Sequence, residues 1–207
     1  MMKRNELFKS AKALYSYEDY KHLLIQLYEQ GKSTGETQSK ARYEATAINL
    51  QRIRRLDKTL VIRDEILSLL KGLNRRWNWY LISEGWCGDS AQNLPYIARI
   101  AQLHDNITLK ILLRDDNPFI MDQYLTNGGK AVPKLICLDA DSDEEQGTWG
   151  PRSSGIAEKV KAYKAEFPDA SHDEFVLNIH GWYAKDKGLS LQQDFTSLIR
   201  EWIAISN

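Results

Sequence analysis

The most restrictive stretch of this 207-residue sequence is the passage from Trp77 to His104. Trp77-Asn78-Trp79-Tyr80-Leu81-Ile82-Ser83 is aromatic and apolar, the composition of a buried strand. Ser90 to His104 has the apolar spacing of a helix. Between them, Glu84-Gly85-Trp86-Cys87-Gly88-Asp89 sets a cysteine where a strand ends and a helix begins. The first N–H groups of a helix lack intrahelical acceptors and point outward, so a sulfur placed there is favoured as thiolate. Trp86 supplies an apolar wall, and Gly88 allows close approach of another backbone.

The flanking sequence extends the pattern in both directions. The first 75 residues read as helices. Leu7, Ala11, Leu14 and Tyr15 form one stripe, and Tyr20, Leu23, Leu24, Leu27 and Tyr28 a second. Gly31 to Ser39 is a polar loop, and a longer helix starts near Lys40. Ile62, Ile66, Leu69 and Leu70 form another stripe, which Gly72 closes. Beyond the central helix, Ile107 to Leu113 predicts a second strand and Asn117 to Leu125 a helix. Pro133 to Leu138 is a third strand, and a fourth ends near Trp149 after an acidic turn. Strand, helix, strand, helix and hairpin imply parallel pairing early and antiparallel pairing late. Glu158 to Phe167 and Leu191 to Ile205 read as helices. Pro168 to Ser190 carries no assignment.

Composition narrows the function classes. Basic and acidic residues number 28 each, so net charge is zero. A field that gathers nucleic acid or anionic membrane needs a basic excess, and neither is expected as a partner. Met1 to Lys9 lacks the apolar run of a secretory signal, and no stretch approaches the roughly 18 apolar residues of a membrane helix. Two cysteines, Cys87 and Cys137, do not make a disulfide scaffold. The four histidines, including His172 and His180, lack metal-ligand spacing, so no metal is expected. These features predict a cytoplasmic protein.

The segment Trp86-Cys87-Gly88-Asp89-Ser90 resembles the thioredoxin active-site motif, in which tryptophan, cysteine, glycine, a variable residue and a second cysteine follow a central strand. Pro95 lies eight residues past Cys87, where thioredoxins carry a helix proline. Val132-Pro133 is similar to their cis-proline loop before the hairpin, and Trp149-Gly150 falls where they place substrate-facing residues. The resemblance covers about 76–167. It implies an α/β thioredoxin fold, a mixed sheet of about four strands flanked by helices. The expected organisation is a helical extension over 1–75, the thioredoxin-like core over 76–167, and a C-terminal loop and helix over 168–207. Leu125-Thr126-Asn127-Gly128-Gly129 and Trp149-Gly150-Pro151-Arg152 also resemble a subgroup of thioredoxin-like bacterial proteins with helical additions and no assigned activity.

Two departures bear on chemistry. The second motif cysteine is Ser90, whose hydroxyl cannot resolve a mixed disulfide. The buried acid that the family places six residues before the cysteine is Leu81. Cys137 lies four residues past Pro133, about 13 Å along a strand, whereas a disulfide needs Cα atoms within about 7 Å. The helix end and a Ser90 hydrogen bond, opposed by Asp89, predict a Cys87 pKa moved from about 8.5 toward the sevens.

The resulting expectation is a monothiol redox protein. Cys87, assisted by Ser90, would form mixed disulfides with a protein or a small thiol, with glutathione as a possible co-substrate. Trp86, Gly88, Asp89, Val132, Pro133, Trp149, Gly150 and Arg152 would bind the substrate; Arg114-Asp115-Asp116 would cap the next helix, with Arg114 facing an anionic substrate as the alternative. A second expectation is a redox-silent binding module presenting Trp86, Val132, Pro133 and Trp149 as an apolar patch. A third borrows from monothiol glutaredoxins, whose Cys-Gly-x-Ser motif Cys87-Gly88-Asp89-Ser90 matches, and whose iron–sulfur cluster is held with glutathione between two protomers. A peroxidatic Pro-x-x-x-Thr-x-x-Cys is excluded, because positions 80 and 84 are Tyr and Glu.

Overall fold

A computed structural model describes residues 4–205. Its centre is a four-stranded sheet in the order β2-β1-β3-β4. β1 (Trp77–Ser83) pairs parallel to β2 (Ile107–Leu113) and antiparallel to β3 (Lys134–Asp139), which pairs antiparallel to β4 (Glu145–Trp149). The mixed sheet and its flanking helices form the thioredoxin fold.

Side-chain alternation on these strands divides the core. Trp79, Leu81, Ile111, Leu135 and Cys137 face α5 (Gly88–Ala101) and α9 (Leu189–Ile205). Tyr80, Ile82, Leu112, Ile136 and Leu138 face α1 (Arg4–Lys9) and α6 (Pro118–Met121). Phe8 of α1 stacks on Tyr80 with ring centroids 4.0 Å apart.

The N-terminal stripe beginning at Leu7 is helical only as far as Lys9. Tyr15 instead exchanges two 2.8 Å backbone hydrogen bonds with Ile111 and satisfies part of the β2 edge. An open edge with unpaired backbone groups overrides weak local helix propensity here. The helix expected over 117–125 shrinks to the single turn α6.

α2 (Tyr17–Glu29), α3 (Lys40–Thr59) and α4 (Asp64–Leu70) place Tyr20, Leu24, Ile53 and Ile66 in the same core as Trp79 and Leu94. α7 (Ser154–Glu166) and α8 (His172–Asp186) make a smaller cluster through Ile156, Val160, Ile179 and Tyr183. α8 fills the segment left unassigned from sequence. Ser171 and Glu174 cap it reciprocally, and Phe175, Ile179 and Tyr183 recur every four residues, so its start signal and its stripe were both legible. Among the described residues, no helix is long and apolar enough to cross a membrane.

Candidate active site

The site is built where β1 hands the chain to α5. Ser83 ends the strand with its hydroxyl 3.1 Å from the Tyr20 hydroxyl. Glu84 follows, wholly buried, its carboxylate accepting hydrogen bonds from the Thr34 hydroxyl and, at 2.9 Å, the Asp115 N–H. Burial pushes this carboxyl above its usual range, although both donors act against the shift. Gly85 donates to Thr34 Oγ1 at 2.8 Å and accepts from Asn49 Nδ2 at 2.9 Å. A Cβ at Gly85 would come within 2.5 Å of Leu24. Helices from the first third of the chain thus fix the approach to the cysteine.

Trp86 lies between two guanidinium groups, with Arg42 at 4.5 Å and Arg114 at 4.8 Å from its ring. Both arginines pair with Asp115, at 3.3 and 2.7 Å. Arg114 therefore reaches the site as a partner of Trp86 and Asp115. Two cation–π contacts cover part of the Trp86 ring, which is half-buried.

Cys87 is the N-cap of α5. Its sulfur accepts from the Ser90 N–H at 3.5 Å, and its thiol donates to the Val132 carbonyl at 3.2 Å. The Val132–Pro133 peptide is cis. The Cys87 pKa is pushed up to about 11, first by burial and then by the Asp89 carboxylate, against the lowering effect of Ser90 and the Asp89 N–H. The expected fall toward the sevens is thus corrected. The helix end acts in the direction anticipated, but burial around this half-buried residue, which no sequence spacing reveals, outweighs it. Ser90 is only 1% exposed and its hydroxyl has no hydrogen-bond partner. It lies close enough to the sulfur to favour thiolate.

Asp89 is held from the far side. Arg152 Nη2 lies 2.6 Å from one carboxylate oxygen, and the Tyr183 hydroxyl donates to the other at 2.7 Å. Asn93 Nδ2 donates to the Asp89 carbonyl and to the Tyr183 hydroxyl. Over Gly88, Arg52 of α3 rests against His180 of α8, with Nη2 2.8 Å from Nε2. A Cβ on Gly88 would be 3.5 Å from Arg52 and 3.9 Å from His180. Burial and the adjacent guanidinium push the His180 pKa down, favouring the neutral ring.

The apolar patch expected from Trp86, Val132, Pro133 and Trp149 does not form. Val132 and Pro133 are buried. Trp149 is 6% exposed, packs on Phe195 and donates its indole N–H to Asp194 at 2.8 Å. Its ring packs in the core, and the residue also lines a surface cleft with Lys134, Gly150 and Arg152. Gly150 adopts φ +109, and a Cβ there would collide with the Pro133 carbonyl, so this glycine lets the two loops meet.

Cys137 is buried on the α5 side of the sheet, whereas Cys87 packs against the opposite cluster. Both thiols are free. Sheet face as well as distance keeps them apart. Among the described residues, no three His, Cys, Asp or Glu side chains gather as a metal site. Sequence reading missed Thr34, Asn49, Arg52, Glu84 and Tyr183. Glu84 was visible inside the motif. The others arrive from distant helices and, for Thr34, from the loop between α2 and α3, and nothing local marks them.

Together these features define a thioredoxin-fold protein with one thiol at the mouth of its central helix. A sequence model described as thioredoxin matches residues 35–164, and the chain belongs to that family. No curated protein matches the chain significantly. Among solved structures, an HIV epitope scaffold is similar at 18% identity with a TM-score of 0.51, over 85% of this chain and 96% of that one. A protein of unknown function from Pseudomonas aeruginosa is 17% identical with a TM-score of 0.48, over 92% and 96%. The scaffold's likeness concerns the fold alone.

Proposed function

We propose that the protein forms mixed disulfides through Cys87 with protein or low-molecular-weight thiols, glutathione serving as a co-substrate in a reducing, cytoplasmic setting. The observation that carries this reading is the placement of the sulfur, held at 3.5 Å from the Ser90 N–H and 3.2 Å from the Val132 carbonyl. A developing thiolate gains the helix end and the Ser90 hydroxyl, against the cost of burial, the Asp89 carboxylate and the lost bond to Val132. It attacks one sulfur of a disulfide, forms the Cys87 mixed disulfide and expels the other sulfur as thiolate. A second external thiol then attacks that mixed disulfide and returns Cys87 to its reduced state. The cycle is redox-neutral exchange, and Ser90 cannot shortcut it.

The raised pKa makes the step slow and pH-driven. At pH 7 a thiol of pKa about 11 is ionised to roughly one part in ten thousand, against a few per cent for free cysteine. Its thiolate is intrinsically the better nucleophile, with a Brønsted slope of about 0.4–0.5, which leaves exchange roughly 25-fold slower than at a free cysteine. Intact-mass spectrometry after treatment with glutathione disulfide tests the reading. An adduct of one glutathione, absent in Cys87→Ser and accumulating faster at pH 9 than at pH 7, is the expected result. An unmodified Cys87 after hours at pH 9 would overturn it.

A further inference from the structure

Behind the Cys87 loop, a cleft of about 580 Å³ opens between α3, α5 and the end of α8. Gln92 and Tyr96 of α5 line it, at the spacing that puts them on one helix face with Gly88. Gln92 is about 6 Å from Gly88 along the axis and Tyr96 about 12 Å. On α3, the lining residues Arg55 and Leu56 lie one turn beyond Arg52. On α8, Tyr183 lies one turn beyond His180. The Arg52–His180 contact over Gly88 therefore lies one helical turn from the cleft on both α3 and α8, on the side of the active-site loop.

The charge of the cleft is lopsided in a protein of zero net charge. Arg55, Arg63 and Lys187 line it against a single carboxylate, Asp186, which already accepts the Ser190 N–H. Among the described residues, neither these three cations nor Arg52 has a carboxylate within ion-pair distance. By contrast, Arg42, Arg114 and Arg152 are all paired. Between the cations, Leu56 and Tyr96 give the cleft an apolar wall, and exposed Val61 extends it. Unpaired cations around a concave, partly apolar surface call for an anion with an apolar body.

We infer that this cleft binds an anionic low-molecular-weight thiol or its disulfide, with acid groups on Arg55 and Arg63, its chain along Leu56 and Tyr96, and its sulfur end directed past Arg52 toward Gly88 and Cys87. The choice of a thiol rests on the mixed-disulfide reading. The anion site rests on the cleft alone. The same geometry explains how a sluggish thiol acts selectively, since a ligand held alongside the helix that Cys87 caps raises its local concentration at the sulfur.

The test is titration calorimetry with S-hexylglutathione, which carries two carboxylates and an apolar chain but cannot exchange. The proteins are wild type, Cys87→Ser and the surface double variant Arg55→Glu/Arg63→Glu, with circular dichroism confirming the fold. The expected result is binding to wild type and Cys87→Ser with Kd values within twofold, weakened at least tenfold by the double variant and by added salt. Absence of binding at millimolar ligand, or equal binding by the double variant, would overturn the inference. The two readings fail separately. Binding as expected with no glutathione adduct sinks the mixed-disulfide reading and the thiol assignment while leaving the anion site. Equal adduct formation in wild type and the double variant, with no binding, sinks the cleft alone.

Discussion

The Cys87 thiol donates to the Val132 carbonyl across 3.2 Å, so the loop it faces favours its protonated form. Burial and Asp89 act in the same direction. The site stores a thiol, and thiolate forms only as conditions or neighbours change.

The pH dependence of alkylation follows. On a Cys137→Ala background, the iodoacetamide rate at Cys87 should rise about tenfold per pH unit from 7 and level off near pH 11. A plateau below pH 8.5 would contradict the burial argument. Stability follows with the sign worked out. The folded pKa lies above the unfolded value, so the contribution is fully present below about pH 8.5 and is lost as pH rises through 11. The urea midpoint of the background protein should therefore fall relative to Cys87→Ser/Cys137→Ala across that window.

Asp89 and Arg152 should act oppositely on the same sulfur. Asp89→Asn removes the carboxylate that raises the Cys87 pKa, and alkylation at pH 7.5 should become roughly threefold faster or more. Arg152→Ala leaves that carboxylate without its cation and should slow the reaction. Equal rates in both variants would show that neither charge is felt at the sulfur.

Position 90 decides whether a second thiol is missed. Ser90→Cys should form an intramolecular disulfide between Cys87 and the introduced thiol on mild oxidation, and accumulate little glutathione adduct. Ser90→Ala, which deletes a buried hydroxyl without a partner, should leave stability within about 1 kcal/mol or raise it. It should also slow alkylation at neutral pH. A Ser90→Cys protein that remains fully thiol under those conditions would exclude the assumed geometry.

Trp149 should behave as a core residue. Trp149→Ala removes a ring packed on Phe195 and one of the donors to the Asp194 carboxylate, which Ser154 still holds, so it should cost about 3–5 kcal/mol in chemical denaturation. An unchanged midpoint would refute the packing argument.

Gly150→Ala should destabilise by about 1–3 kcal/mol, because φ +109 is strained for alanine and its methyl would meet the Pro133 carbonyl. Thermal unfolding of the variant measures it, and a midpoint at or above wild type would refute the packing argument.

The strand-to-helix passage at Trp86–Ser90, the order of sheet elements, and the loss of a second motif thiol were all legible, because each is a local pattern or a residue identity. The site's surroundings were not. The loop after α2 delivers Thr34, and α3 delivers Asn49 and Arg52, across large sequence separations to hold Gly85 and cover Gly88, and helical periodicity says nothing about which face meets which loop. α8 was missed through reading its polar surface residues as loop, although its capping box and apolar stripe were present.

What the sequence by itself determined is a single cysteine at a helix mouth, beside a serine that cannot resolve it. What tertiary structure alone decided is the ionisation of that cysteine, the burial of Trp149 and the cationic cleft behind the loop. The reason is physical. Helix position and residue type follow from neighbours along the chain, whereas desolvation and unpaired charge depend on what the whole fold brings near, and at Cys87 desolvation is the larger of the two.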